Sequence, residues 1–258
     1  MRTISPSRIL FALGLAGLGV LSLLSGDFAL NWQPVPAWIP WREVLARLSG
    51  GLLLAGGLGM LVRRTAILAA RAMMLFMLSW VLLLQVPRVL QAPLSTGMWI
   101  GFAESSWLFC GGWILLVSLS LGDTPRAVRL LFGVSCLILG LSHFVYADTT
   151  AGMVPAWIPG HYFFAYLTGA GHAAAGMAIL SGVLRRLAAT AEAAMVSCFV
   201  LLLHIPAALS EPGSRLQWTM VFVATALAGS AWAVAESLRR EPWGWPRQLH
   251  AMRAATAD

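Results

Sequence analysis

Val35-Pro36-Ala37-Trp38-Ile39-Pro40 returns without a change as Val154-Pro155-Ala156-Trp157-Ile158-Pro159, 119 positions further on. The surrounding residues keep the same spacing. Gly50 and Gly57 correspond to Gly169 and Gly176, Pro87 and Pro93 to Pro206 and Pro212, and Trp99 and Trp113 to Trp218 and Trp232. Upstream, at a spacing of 121, Arg8-Ile9-Leu10-Phe11 corresponds to Arg129-Leu130-Leu131-Phe132, and Asp27 to Asp148. An identical hexapeptide flanked by ordered matches marks an internal repeat. The sequence therefore reads as a tandem duplication, with a first unit over 1–122, a second over 123–240 and a tail over 241–258.

Composition says what each unit is made of. Hydrophobic residues make up 59% of the 258 positions and charged residues 10%, against about 25% charged in an ordinary soluble domain. A soluble protein, a disordered chain and a disulfide-framed scaffold are excluded. Eight apolar segments run over 8–26, 43–62, 66–86, 97–120, 127–147, 162–184, 188–209 and 216–237, each near the roughly 20 residues that cross a bilayer as a helix. The expected fold is an all-α membrane protein of eight transmembrane helices, arranged as two parallel four-helix bundles. Four is an even number, so both units insert in the same direction. The first segment follows Arg2 and Arg8 in the manner of a signal peptide, but its match to the fifth makes it a retained membrane helix.

The formal charge is +7, and all 17 basic residues are arginine. Arg2, Arg8, Arg63, Arg64, Arg71, Arg126, Arg129, Arg185, Arg186, Arg239, Arg240, Arg247 and Arg253 fall on one side of the eight segments. Arg42, Arg47, Arg88 and Arg215 fall on the other. By the positive-inside rule the first side is cytoplasmic. The expected location is a bacterial-type inner membrane with both termini inside and the tail, with Trp243 and Trp245, on its inner surface. The arginines thus answer to the lipid bilayer as partner, and nucleic acid is not expected. Cys110, Cys136 and Cys198 lie within apolar runs without CxxC spacing, and read as small buried hydrophobes.

The two units differ where chemistry is carried. Arg42, Glu43 and Arg47 stand in the first where His161, Tyr162 and Tyr166 stand in the second; Leu53 becomes His172, Gln85 becomes His204 and Ser22 becomes His143. Ionisable groups inside a membrane are costly and face the bundle interior or a wet cavity. A ligand pocket lined by His143, His172, His204 and Tyr166 under the Trp157 loop is expected, with His161, Tyr162 and Asp148 at its entrance. Counting along the helices places His143 and His204 at similar depth and His172 some 7–9 Å deeper. His143 and His204 could ligate a metal or haem together; histidines satisfied by interhelical hydrogen bonds are the plainer reading. The first unit is expected to hold ion pairs, Asp27 and Glu43 with Arg42 and Arg47, and Glu104 with Arg47 or Arg88. His204-Ile205-Pro206 and Gln85-Val86-Pro87 suggest a kink, or a span end, at each proline.

Ser49-Gly50-Gly51-Leu52-Leu53-Leu54-Ala55-Gly56-Gly57 followed by Arg63-Arg64-Thr65-Ala66, and Gly176-Met177-Ala178-Ile179-Leu180 followed by Arg185-Arg186-Leu187-Ala188-Ala189, resemble the DoxX-like integral membrane family, once per unit. That family takes its name from a small subunit associated with a thiosulfate:quinone oxidoreductase. The resemblance implies a four-helix unit and a redox-associated subunit that binds a quinone-like lipophile beside a redox partner protein. Many members carry an acidic residue just before the glycine-rich stretch, where this chain has Ser49 and Thr168. No GxxxxGK[ST], GxSxG, HExxH or GxGxxG motif is present. The alternatives are a non-catalytic membrane scaffold, assembly factor or lipid-ligand binder and, third, a small-solute transporter.

Overall fold

The computed structural model describes residues 4–244. Most of the expected tail, 245–258, and with it Trp245, Arg247 and Arg253, lies outside the described residues, as does Arg2. The described residues form eight helices long and apolar enough to cross a membrane: Pro6–Ser25, Arg42–Leu61, Ala66–Gln91, Thr96–Leu119, Arg126–Val145, His161–Ser181, Arg185–Ser210 and Arg215–Ser237. They are called here the first to eighth helices. A short helix, Ala147–Met153, leads from the fifth towards the sixth.

Local chemistry sets the ends. The Ser5 hydroxyl accepts from the Arg8 amide at 3.4 Å, Pro6 opens the first helix, and Gly26 closes it at φ +62°, a Ser cap, a proline in the first turn and a left-handed glycine stop. The two VPAWIP segments leave Trp38 and Trp157 exposed. Each is followed by a left-handed residue, Trp41 at φ +59° and Gly160 at φ +72°, before its helix starts. Pro40 and Pro159 therefore stand one residue ahead of the cap.

Neither Pro87 nor Pro206 ends its span. The third helix passes Pro87 to Gln91 and the seventh passes Pro206 to Ser210. In each, the turn before the proline opens into a π-helical segment, Trp80–Gln85 and Phe199–His204. A proline cannot donate to the carbonyl four residues back and its ring crowds that carbonyl; widening the turn by one residue accommodates both. This is why the third helix runs five residues beyond the 66–86 segment.

The packing order positions the site. The first helix packs along the second and the eighth, and the fifth along the fourth and the sixth. The fourth and eighth helices touch each other at the centre and are the most buried of the eight. The fourth helix of each half thus packs against the first helix of the other half. The compartment enclosed by the fifth, sixth and seventh helices is walled on its remaining side by the fourth.

Among the cysteines, Cys110 and Cys136 are buried, whereas Cys198 is exposed on the outer face of the seventh helix, unlike the expectation that all three are buried.

Candidate functional site

His172 and Glu192 meet in the middle of this compartment. The Nδ1 of His172 lies 2.5 Å from Glu192 Oε1, and the two side chains are 4% and 0% exposed. The sixth helix supplies the histidine and the seventh the glutamate. His143, from the fifth helix, places its ring centroid 5.0 Å from that of His172, edge to face. Phe199 of the seventh helix borders both histidines at 6.3 and 5.9 Å, and Trp107 of the fourth helix stands 6.1 Å from His172. Four helices thus contribute, one of them from the first half of the chain.

The approach of the fifth and sixth helices rests on glycine. A Cβ on Gly169 would lie 2.7 Å from His143 Cβ, so a larger residue would push the imidazole away. With glycine there, His143 Nδ1 reaches Thr168 Oγ1 at 3.0 Å. The Thr168 hydroxyl already donates to the Phe164 carbonyl at 2.8 Å. A hydroxyl has a single proton, so Thr168 accepts and His143 Nδ1 donates. The other imidazole nitrogen, Nε2, then carries the lone pair. Glu192 Oε2 is buried without a hydrogen-bond partner, a polar atom that a proton or a small polar group would satisfy. His172 and Glu192 are hydrogen-bonded, and His143 meets His172 ring to ring, so the group runs from half-buried at His143 to fully buried at Glu192.

The expected site changes in several particulars. His143 and His172 are brought together, although counting along the helices set them at different depths. His143 lies two residues from the end of the fifth helix but packs against Thr168 and Gly169, seven and eight residues into the sixth, so the sixth helix starts farther out than the fifth ends and His172 is only about one turn deeper. His204 sits half-buried in the π-helical segment and makes no side-chain hydrogen bond or ring contact among the described residues; the His143–His204 pairing is replaced by His143–His172. Tyr166 is exposed and stacks on Phe144 at 5.8 Å, and Trp157 is exposed in its loop, so neither lines the compartment. Of the expected entrance, Tyr162 donates to Asp148 at 2.9 Å on the surface, and His161, the residue before Tyr162, is half-buried. Glu192, Trp107 and Phe199 were missed. The signal for Glu192 was available: it is the one acidic residue between Arg185 and Ser210, and the repeat spacing sets it opposite Met73.

The first half is ionic at its arginine-poor end. Glu43 pairs with Arg47 at 2.7 Å. Asp27 pairs with Arg42 and, at 3.3 Å, with Arg215 of the eighth helix, not with Arg47. Arg215 also donates to the Phe28 carbonyl, so one arginine ties the first loop to the eighth helix. Glu104 has no arginine partner. Arg88 donates to Gln85 instead, and the Trp32 indole approaches Glu104 while its Nε1 lacks a partner of hydrogen-bond geometry.

Partial burial alone raises the Asp27 carboxyl; the Phe28 amide and the Arg42 and Arg215 guanidiniums more than reverse this and hold it below the ordinary carboxylate value. A carboxyl depressed by folding contributes stability above its unfolded value, and that contribution disappears as pH falls through the folded value. Asp27→Asn is therefore expected to melt below the parent at neutral pH, with the gap closing under about pH 4. Thermal denaturation in detergent at a series of pH values measures this; a gap that does not change with pH contradicts it.

Residues 125–205 match the family model described as DoxX. The match spans the fifth and sixth helices and the seventh as far as its π-helical segment, so it contains His143, Thr168, His172, Glu192 and Phe199. The chain is similar to DoxX membrane proteins over this stretch. No curated protein and no solved structure matches significantly.

Proposed function

We propose that this protein is a membrane subunit that exchanges protons with a quinone-like lipophile through His143, His172 and Glu192, in support of a redox partner protein. The observation that carries the reading is the His172–Glu192 pair with His143 against it, inside the bilayer span. Packing does not demand such a pair. At the corresponding positions the first half has Leu53 and Met73, both fully buried apolar side chains. Intramembrane ionisable groups are expensive and are retained where they do chemistry.

In this reading the lipophile approaches from the bilayer at the half-buried His143. Oxidation of a quinol releases two protons and two electrons. One proton passes to the His143 Nε2 lone pair and, once a ring rotation brings an imidazole nitrogen of His143 to His172, on to Glu192; the second stays on the His143 imidazole, and the two electrons pass to the partner. Imidazole suits this because it exchanges protons near neutral pH. We read the chain as two copies of one four-helix unit, of which the second carries the chemistry and the first is chiefly scaffold. The arginine asymmetry supports an inner-membrane orientation with both termini cytoplasmic.

The close packing of Trp107 and Phe199 around His172 favours one other reading, a non-catalytic scaffold in which the pair clasps the sixth and seventh helices. Purification in mild detergent, followed by mass spectrometry of extracted lipophiles and titration with a short-tailed quinone, separates the two. The redox reading expects co-purified quinone in the parent and at least about tenfold weaker binding in His143→Phe. A parent that neither retains nor binds quinone leaves the scaffold reading.

A further inference from the structure

A cavity of about 180 Å³ opens at the arginine-rich end of the second half, lined by Arg126 and Arg129 of the fifth helix, Ile179, Leu180 and Ser181 of the sixth, and Arg185 of the seventh. We propose that this cavity binds a phosphate group, presented by an anionic phospholipid of the surrounding leaflet.

Three arginines from two helices line it. Arg126 and Arg129 are three residues apart and share one helix face. Arg126 has no hydrogen bond or ion pair among the described residues, and Arg129 donates only to the Thr124 carbonyl, at 3.2 Å. Arg185 is balanced by Glu241, 3.0 Å away, so one acidic group faces three basic ones. The seventh helix begins at the cavity after Leu184 without a side-chain cap; its first amides and the helix dipole favour an anion at the same place. Guanidinium is the side chain suited to phosphate, since it donates two parallel hydrogen bonds.

Position selects the lipid over free phosphate. The cavity lies where the fifth and seventh helices begin and the sixth ends, which is headgroup depth. Leu130, Ile179 and Leu180 also line it, and Leu130 and Leu180 are half-buried apolar residues of the membrane helices, so a phosphate held by the arginines can keep its acyl chains in lipid. Basic pockets between helices at this level take acidic headgroups.

The test is native mass spectrometry of the full chain, released from micelles containing equal amounts of phosphatidylglycerol and phosphatidylcholine. The parent is expected to retain phosphatidylglycerol selectively. Arg126→Gln with Arg129→Gln is expected to reduce that retention about tenfold or more, two surface-level cations being removed. Arg63→Gln with Arg64→Gln, at the same membrane level in the first half, should leave it unchanged. A lysine pair, Arg126→Lys with Arg129→Lys, keeps the charge and should retain part of the selectivity, which separates lost binding from lost folding. In a parallel arm inorganic phosphate is titrated without lipid. Arginine-dependent phosphate binding without phosphatidylglycerol retention would support the phosphate site and overturn its lipid source. Equal retention of both lipids by the parent, with no phosphate binding, would overturn the site itself.

Discussion

His172→Leu alone is expected to destabilise the protein by about 3–5 kcal/mol, because it leaves Glu192 buried without a partner. Glu192→Met alone should cost a comparable amount, stranding the imidazole and filling a place shaped for a carboxylate. Both changes together copy the first half, where Leu53 and Met73 occupy these positions at 0% exposure. One further detail decides whether the copy fits. A Cβ placed on Gly56 would lie 2.4 Å from the Met73 terminal carbon, and the second half has Ala175 at the place of Gly56. The transplant that should work is therefore triple: His172→Leu, Ala175→Gly and Glu192→Met. Replacing a buried ion pair by well-packed apolar groups is often neutral or better. The triple variant should return to within about 1 kcal/mol of the parent, a strong non-additivity of the kind expected between touching residues. Unfolding in mixed micelles measures the series. Additive losses across the three changes would show that His172 and Glu192 do not act as a unit.

The second large effect lies at the seam between the two halves. A Cβ on Gly229 would sit 2.3 Å from the Phe11 amide nitrogen and 2.7 Å from its Cα. These are backbone atoms and cannot rotate away. Gly229→Ala must therefore part the first and eighth helices, which meet through small residues where no hydrophobic effect drives them together. A loss of about 1–3 kcal/mol or more is expected, as for overpacking in a tight core. Gly51→Ala is the matched control. It also lies in a helix interior, but nothing stands within 4 Å of its would-be Cβ. It should be neutral or gain up to about 1 kcal/mol from helix propensity. Equal melting temperatures for the two variants would contradict the close seam.

How much of this could be read from the sequence follows from what each signal measures. Runs of Leu, Ala and Val between arginines report burial in lipid, and they located all eight helices. The prolines were read as ends or kinks because their cost to an α-helix is local; that a π-helical turn absorbs the cost at both Trp80–Gln85 and Phe199–His204 depends on the neighbouring helices. The central placement of the fourth and eighth helices was not legible, since hydropathy does not say which helix a lipid-soluble face meets. At the site, His143 and His172 stood out as costly groups in apolar surroundings. Their contact did not, because depth counted from helix ends ignores unequal starting levels. Glu192 follows Arg185 and Arg186 by only about two turns, and a lone carboxylate so close to a helix start does not stand out from the charged end of the span. The apolar pair Leu53 and Met73 in the first half is the comparison that gives His172 and Glu192 their meaning.

The central claim is that a proton moves onto and off the buried His143–His172–Glu192 chain when a bound lipophile changes redox state. Infrared difference spectroscopy of the purified protein with a bound short-tailed quinol, before and after oxidation, reads this at the carboxyl group itself. The account predicts a carboxylic-acid band that appears on oxidation, shifts in deuterated water, is lost in Glu192→Gln and survives in Glu104→Gln, a carboxyl of the fourth helix outside the histidine cluster. Difference spectra that are the same for Glu192→Gln and the parent would contradict it.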